Sequence, residues 1–159
     1  MYLHSRATGT EFVDILRANR HRFPTGVVHS FTGDLAEMQA ICEMDLYLGI
    51  NGCSMKTEEN CEIVRQIPVE KMMVETDCPY CDIRNSHASA QHVKTRFPRK
   101  PKEKYNPESS DFHVVRDRNE PCTIVQVIEV IAALKGLTTQ EVAEISYANT
   151  VRMFGLAEE

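Results

Sequence analysis

The stretch GVVHSFTGDLAEMQAICEMDLYLGING, residues 26–52, predicts a strand, a helix and a second strand in succession. Residues 26–31 are rich in β-branched side chains, and residues 45–52 are an apolar run that leads into glycines, so both indicate short strands. Between them lies a predicted helix with Asp34 as its N-cap. Its buried face is predicted to contain Leu35, Met38 and Ile41. A strand–helix–strand unit with short loops predicts parallel strands in one sheet.

The same alternation extends to both sides of this stretch. Before it, a short strand ends at His4 and a helix is predicted over residues 10–22; after it, a helix is predicted over 57–67 and a strand over 71–77. The apolar face of the first of these helices is predicted to contain Phe12, Ile15, Leu16 and Asn19. The chain therefore predicts an α/β fold with four parallel strands covered by helices.

The rest of the chain predicts a long loop followed by two helices. Residues 78–120 lack periodicity and hold most of the proline, serine and basic residues. Pro121 opens a strongly apolar helix that Gly136 ends, and a last helix is predicted over 139–148. The predicted stripe of the first helix is Ile124, Ile128, Ile131 and Leu134, and the capping box of the second is Thr138 and Glu141.

The composition is that of an ordinary globular domain. The chain has 159 residues, 42% of them hydrophobic and 26% charged, with a net charge of −5. No apolar run approaches the ~20 residues that a membrane span needs, and the N-terminal residues have no signal-peptide core. We therefore expect an intracellular protein with no membrane partner, whose six cysteines are reduced thiols or ligands.

Polar side chains follow all four predicted strands at the point where each strand ends. They are His4, His29, Asn51 and Asp77, which lie about 22 to 26 residues apart, or one strand–helix unit each time. The C-terminal ends of parallel strands are where such folds assemble their chemistry. Two imidazoles and a carboxylate suit Zn²⁺ or a harder divalent ion, which a hydrolase uses to activate water. The alternative is that each is a hydrogen-bonded structural residue.

The CPYC motif at residues 78–81 predicts a second, different chemistry. A dithiol at this spacing performs disulfide exchange in glutaredoxins, where the motif opens a helix whose N-terminus lowers the pKa of the first thiol. The residues after Cys81 form a poor amphipathic helix, and three strand–helix units precede the motif. A redox role for Cys78 and Cys81 is therefore the weaker alternative.

A basic segment, KTRFPRKPKEK at residues 94–104, predicts contact with a phosphate backbone. Phe97 lies within it and Tyr105 follows it, so an aromatic ring is available for stacking on a base. Its cations are Lys94, Arg96, Arg99, Lys100, Lys102 and Lys104. The alternative is a solvated loop without a partner.

These motifs together resemble the TatD-type metal-dependent DNases, specifically their eukaryotic branch. The matching segments occur in the family's order along essentially the whole chain. They are YLHSR (2–6), GVVHSFTG (26–33), YLGINGCSMK (47–56), VETDCPY (74–80), RNEP (118–121) and EVAEISYANTVRMFG (141–155).

The resemblance implies a (β/α)₈ barrel of the amidohydrolase type that hydrolyses DNA phosphodiester bonds with divalent ions such as Mg²⁺, Mn²⁺ or Zn²⁺. His4 and His29 match the metal-binding histidines after the fifth and sixth strands, and Asp77 matches the metal-binding aspartate after the eighth. Asp77 is also the natural general base for the attacking water. Arg118 belongs to a motif with a structural or substrate-supporting role. With the cations of the basic segment, the predicted substrate contacts are Arg96, Arg99, Lys100, Lys102 and Arg118.

The chain also departs from the family pattern. The family's His-x-His pair and its glutamate after the fourth strand have no match here, and a full barrel takes about 250 residues. We therefore expect a single domain, residues 1–159, that corresponds to the C-terminal half of the barrel, strands five to eight. Unpaired sheet edges would then favour self-association, and nuclease activity would be impaired. The alternative function is that of a non-catalytic scaffold that binds a partner. A location in the nucleus or the cytoplasm is expected.

Overall fold

The structure, a computed structural model, describes residues 1–6 and 8–156. Strands and helices alternate through the first half of the chain, as the sequence predicts. The strands are β1 (Tyr2–His4), β2 (Val27–His29), β3 (Tyr47–Ile50), β4 (Met72–Val74), β5 (Arg99–Lys100) and β6 (Val114–Val115). The helices are α1 (Glu11–Asn19), α2 (Leu35–Glu43), α3 (Glu58–Gln66), α4 (Ile124–Lys135) and α5 (Thr139–Phe154).

The first four strands form one parallel sheet in the order β1-β2-β3-β4. His4 is the register partner of His29, and Ile50 is the partner of Val74, so all four strands end at the same edge. Each strand is only three or four residues long. The prediction of a four-stranded parallel α/β fold is confirmed, and the polar residues after the strands are brought to one side of the sheet.

Local capping signals fix where most of the helices begin and end. The Asp34 side chain accepts a hydrogen bond from the Glu37 amide at 2.8 Å, and Thr138 forms the predicted capping box with Glu141. Gly136 ends α4 with a left-handed φ of 66°, which glycine adopts without steric cost. These contacts span three or four residues, which explains why sequence alone predicts them. The last helix extends past the predicted end at 148, to Phe154.

The core lies between the sheet and the helices packed on it. Its fully buried members include Val28, Leu48, Ile50, Ile41, Val64 and Ile131. Two predicted core residues are instead exposed: Ile15 is 63% exposed and Leu35 is 37% exposed. Each short helix contacts the sheet through a narrow apolar stripe. In α1 the buried residues of this stripe are Val13 and Leu16, so the neighbouring Ile15 remains exposed to solvent.

Residues 78–120, predicted as one loop, contain the short parallel pair β5 and β6. The Glu129 carboxylate of α4 holds this segment: it accepts hydrogen bonds from the amides of Lys94 and Thr95 and from the Thr95 hydroxyl. The Gln126 amide donates to the Thr95 carbonyl at 2.9 Å. Because partners far apart in sequence order this segment, no local periodicity indicates its structure.

Membrane-spanning potential is confined to one bent pair of helices in the described part of the chain. No single helix there is long and apolar enough to cross a bilayer. Residues 121–135 and 139–154 reach the required length and composition only when they are counted together, across a bend of 109°.

Candidate active site

The predicted metal ligands lie around one open cleft at the C-terminal edge of the sheet. The cleft has a volume of about 720 Å³. His4 and His29 reach it from neighbouring strands, and Asp77 reaches it from the loop that follows β4. The parallel arrangement thus brings together three side chains that are distant in sequence.

His29 and Asp77 form the closest pair in the cleft. The Nε2 atom of His29 lies 3.4 Å from Oδ1 of Asp77, and both side chains are largely shielded from solvent. The ring of His4 lies 5.7 Å from that of His29, measured between centroids. The arrangement leaves one ring nitrogen and one carboxylate oxygen side by side, with a second imidazole adjacent.

Glu75 is a site residue that the sequence reasoning missed. Its carboxylate lies 2.7 Å from Nδ1 of His29 and accepts a hydrogen bond from the Ser30 amide at 3.1 Å. A hydrogen on Nδ1 satisfies the carboxylate and leaves the Nε2 lone pair turned toward Asp77. Burial raises the pKa of the Glu75 carboxyl, and its hydrogen bonds and His29 oppose that rise. The sequence signal for Glu75 is its place in VETD, two residues before Asp77, because residues two apart share a face of a predicted strand.

Tyr2 and Gly49 complete the surroundings of Glu75. The Tyr2 hydroxyl lies 2.8 Å from Nδ1 of His29 and donates to Glu75 at 3.4 Å, while its ring stacks on the His29 ring. Burial, followed by the negative charge of Glu75, raises the pKa of Tyr2 to about 12, so the phenol keeps its proton. A Cβ at Gly49 would overlap a Glu75 oxygen, so glycine leaves the room that this carboxylate occupies.

The loop that carries Asp77 is fixed by Asn119. The Asn119 side-chain amide donates to the carbonyls of Thr76 and Tyr80, each at 2.8 Å, and its backbone amide donates to the Pro79 carbonyl at 3.0 Å. Asn119 is 4% exposed. Asp77 itself has a left-handed φ of 53°, a conformation that asparagine and aspartate tolerate better than most residues. The RNEP motif thus serves to shape the Asp77 loop.

Asn51, the fourth polar residue after a strand, has a structural role. Its side-chain oxygen accepts hydrogen bonds from the amides of Cys53 and Ser54, and its amide donates to the Ser30 hydroxyl. It is fully buried. Asn51 therefore orders the turn after β3 and holds Ser30, the residue that follows His29.

The CPYC thiols lack the surroundings that disulfide exchange requires. Residues 78–81 form a turn, so no helix N-terminus lies at Cys78. The Cys81 thiol donates to Asp77 at 3.2 Å, and burial, together with hydrogen bonds to Cys53 and Asp77, raises its pKa far above the usual range. A thiolate at Cys81 is strongly disfavoured, which argues against the redox alternative.

The predicted DNA-contacting cations do not line the cleft. Arg99 forms a bidentate ion pair with Asp82 at 2.8 and 2.9 Å, and Arg118 pairs with Glu120 at 3.2 Å. The Arg96 guanidinium donates to the Ala90 carbonyl. Lys100 and Lys102 lie at β5 and just after it. The cations that line the cleft are Arg6 and Lys56, which the sequence reasoning did not select.

The donor atoms in the cleft suit a divalent ion. Two imidazoles and a carboxylate are ligand types for Zn²⁺ and related ions. Metal-bound histidines commonly give their second ring N–H to a carboxylate, as His29 does to Glu75. Among residues 1–6 and 8–156, however, no three His, Cys, Asp or Glu side chains are close enough together to hold an ion jointly. The ligand roles of His4, His29 and Asp77 stay a prediction.

Known proteins with similar sequences include two named nucleases. The chain is 44% identical over 156 residues to Deoxyribonuclease Tat-D of Schizosaccharomyces pombe, covering 96% of this chain and 49% of that protein. It is 30% identical to the 3'-5' ssDNA/RNA exonuclease TatD of Citrobacter rodentium, covering 98% of this chain and 51% of that protein. The chain thus spans about half the length of these relatives. The alignment falls in the middle part of the relative, so the expected C-terminal portion is not supported.

Two solved structures share the fold of this chain. An uncharacterized amidohydrolase from Saccharomyces cerevisiae superposes with a TM-score of 0.88 at 29% identity, covering 96% of this chain and 53% of that one. A TatD family hydrolase from Entamoeba histolytica gives the same TM-score at 28% identity, covering 96% and 50%. The sequence also matches the family described as TatD related DNase over residues 1–155. The chain therefore belongs to the TatD related DNase family.

Proposed function

We propose that this chain contributes the metal site of a divalent-metal-dependent nuclease that hydrolyses DNA phosphodiester bonds. The observation that carries the proposal is the cleft in which Nε2 of His29 faces Asp77 while Glu75 holds Nδ1. The names of the relatives, a deoxyribonuclease and a 3'-5' ssDNA/RNA exonuclease, support DNA as the substrate and single strands as its form.

Each side chain in the cleft has a role in this reaction. His4, His29 and Asp77 would hold the ion, Mg²⁺, Mn²⁺ or Zn²⁺, and Asp77 accepts the proton of the attacking water. The bound ion supplies activation of water and neutralisation of charge on the phosphate. Arg6 and Lys56 bind the phosphate from the rim of the cleft. Glu75 keeps His29 in the tautomer whose Nε2 faces the cleft.

We further propose that the four-stranded sheet is one part of a closed barrel of the amidohydrolase type. Among residues 1–6 and 8–156, no three ligand-type side chains are close enough to hold an ion jointly, so low activity is expected of this chain alone. The edge strands β1 and β4 favour self-association, although the Asn149 side chain caps the Met72 carbonyl of β4. An intracellular location, in the nucleus or cytoplasm, stays a prediction from the sequence.

A non-catalytic, partner-binding chain is the second candidate function. It is favoured by one observation: within the described residues, no three ligand-type side chains are close enough to hold an ion jointly. A chain of this kind would keep the scaffold and bind metal too weakly for catalysis.

A cleavage assay distinguishes the two candidates. The purified chain is incubated with a labelled single-stranded or duplex oligonucleotide and with Mg²⁺, Mn²⁺ or Zn²⁺, beside Asp77→Asn and the exposed control Asp14→Asn. We expect cleavage that depends on metal, falls at least ~100-fold in Asp77→Asn and is unchanged in Asp14→Asn. No cleavage with any ion would favour the non-catalytic chain. Metal-independent disulfide reduction that is lost in Cys78→Ser would favour the redox alternative.

A further inference from the structure

Three exposed aromatic side chains lie at the rim of the cleft or in the segment that follows the Asp77 loop. The exposed fractions are 71% for Tyr80, 41% for Tyr105 and 63% for Phe112. The reaction proposed above uses none of them. We call these three side chains the stacking face.

Two rings of the stacking face, Tyr105 and Phe112, are held by neighbours from the same segment. Phe112 meets Phe97 edge to face, with centroids 5.8 Å apart, and Tyr105 meets His113 in the same way at 5.4 Å. The Arg118 guanidinium lies 5.8 Å from the centre of the Tyr105 ring. A ring that is fixed before binding loses less side-chain entropy when a ligand stacks on it.

The segment beneath these rings is anchored by backbone pairing and by one ion pair. The Val114 amide donates to the Pro98 carbonyl at 2.9 Å, and the Arg116 amide donates to the Lys100 carbonyl at 2.8 Å. Val114 and Val115 are buried, and Arg99 is committed to Asp82. These contacts make the segment a support for the exposed rings rather than a free loop.

Two rings of the stacking face, Tyr80 and Tyr105, are linked to the cleft. Tyr80 lines the cleft, and the Asn119 amide binds the Tyr80 carbonyl at 2.8 Å. The next residue along the chain from Asn119, Arg118, contacts Tyr105. A chain of contacts through Asn119 and Arg118 therefore connects Tyr105 to the cleft.

Charge favours an anionic occupant of this surface. Residues 94–118 contain eight Lys and Arg against four Asp and Glu, in a chain with a net charge of −5. Within residues 1–6 and 8–156, the ion pairs of this segment involve Arg99 and Arg118, so Lys100, Lys102 and Arg116 keep their charges for another partner. Alternation of exposed rings with cations is typical of surfaces that bind single-stranded nucleic acid.

We propose that the stacking face binds the unpaired bases of single-stranded nucleic acid, with Lys100, Lys102 and Arg116 on its phosphates. This inference rests on the proposed nuclease function, and it adds a contact region outside the cleft. Single strands are the occupant because bases in a duplex are stacked on one another and do not offer their faces to side chains. The surface would hold the strand while a phosphate occupies the cleft.

The test is equilibrium binding in EDTA, where neither metal nor cleavage contributes. Fluorescence anisotropy with labelled dT₁₂ and with a 12-base-pair duplex compares the wild-type chain with Phe112→Ala and Tyr105→Ala. Tyr147→Ala is the matched control, because Tyr147 is 65% exposed on α5 and away from this segment. Phe112→Trp tests whether any stacking ring suffices.

We expect Phe112→Ala and Tyr105→Ala each to weaken dT₁₂ binding about fivefold to tenfold. Duplex binding should be unchanged, Tyr147→Ala should have no effect, and Phe112→Trp should bind as wild type. Lys102→Gln should lower the slope of log affinity against log salt concentration by about 0.7, while Phe112→Ala leaves that slope unchanged. Circular dichroism confirms that each variant is folded.

Two results would overturn the proposal: dT₁₂ affinity that is unchanged in both alanine variants, or equal losses for dT₁₂ and duplex. Neither result bears on cleavage. If cleavage depends on Asp77 but the alanine variants bind dT₁₂ as wild type does, the proposal for the stacking face is wrong and the proposed nuclease function stands. If dT₁₂ binds through the rings and no metal supports cleavage, the proposed nuclease function fails alone.

Discussion

Two largely shielded glutamates lie in different regions of this molecule, and each accepts hydrogen bonds from distant residues. Glu75, at the edge of the sheet, accepts from the Ser30 amide and holds Nδ1 of His29. Glu129, on α4, accepts from Lys94 and Thr95. The partners of Glu75 include His29, which lines an open cleft, whereas those of Glu129 belong to Lys94 and Thr95 of a connecting segment. The same residue type therefore positions a candidate ligand in one region and fastens the chain in the other.

The opposite pKa shifts of the two carboxyl groups reflect this difference. Burial opposes ionisation of Glu129, but the hydrogen bonds from Thr95 and Lys94 outweigh it and lower its pKa. For Glu75, burial outweighs the hydrogen bonds and raises the pKa. A carboxylate that binds the amides of a connecting segment stabilises the fold, while one whose partners include a histidine and a tyrosine beside a cleft is typical of a functional site. Four predictions test this comparison, from the largest expected effect to the smallest.

Replacement of Glu129 should have the largest effect on stability. Glu129→Ala leaves the amides of Lys94 and Thr95 without an acceptor, so we expect the free energy of unfolding to fall by about 3 kcal/mol. Urea denaturation measures this, with the exposed Glu144→Ala as control. A loss below about 1 kcal/mol would show that water replaces the carboxylate, and the anchoring role would be wrong.

Asn119→Ala should affect both stability and the cleft. Two carbonyls, of Thr76 and Tyr80, lose their donor, which should cost about 2 kcal/mol. Because the Asp77 loop is then less fixed, Zn²⁺ affinity measured by calorimetry should fall as well. The exposed Asn85→Ala should change neither quantity. Equal Zn²⁺ affinity in Asn119→Ala and wild type would remove Asn119 from the positioning of Asp77.

The Glu75→Gln variant should lose Zn²⁺ affinity with little change in the stability of the fold. The side-chain amide oxygen of the variant still accepts a hydrogen bond from His29. The neutral amide lacks the negative charge that favours the Nδ1-protonated tautomer of His29, so the Zn²⁺ affinity should fall about tenfold. The free energy of unfolding should change by less than about 1 kcal/mol. Calorimetry and urea denaturation provide the two readouts, with the exposed Glu43→Gln as control. A large stability loss without a change in Zn²⁺ affinity would make Glu75 a structural residue like Glu129.

The smallest predicted effect is a pH dependence due to Glu129. The pKa of Glu129 is lower in the folded state than in the unfolded state. Its contribution to the free energy of unfolding is therefore fully present above the unfolded pKa, about 4.3. That contribution is lost as the pH falls through the folded pKa. The stability gap between wild type and Glu129→Gln should therefore narrow on acidification below about pH 4.3. Urea denaturation between neutral pH and pH 3 measures it, and a constant gap would contradict the assignment.

The sequence alone determined the features that depend on neighbours a few residues apart. The strand–helix alternation, the Asp34 cap and the Thr138 capping box are of this kind, since helix and cap hydrogen bonds join residues three or four apart. It also placed His4, His29 and Asp77 at one edge, because parallel strands end on the same side. The motifs around these residues carried the family resemblance.

Only the tertiary structure decided the features that join distant residues. It gave Glu75 its contact with His29, turned Ile15 to solvent, and ordered β5 and β6 through Glu129. It also committed Arg99 to Asp82 and left Arg6 and Lys56 at the cleft. A linear pattern records which groups are available. Which partner each group finds depends on packing between segments that lie tens of residues apart in the chain.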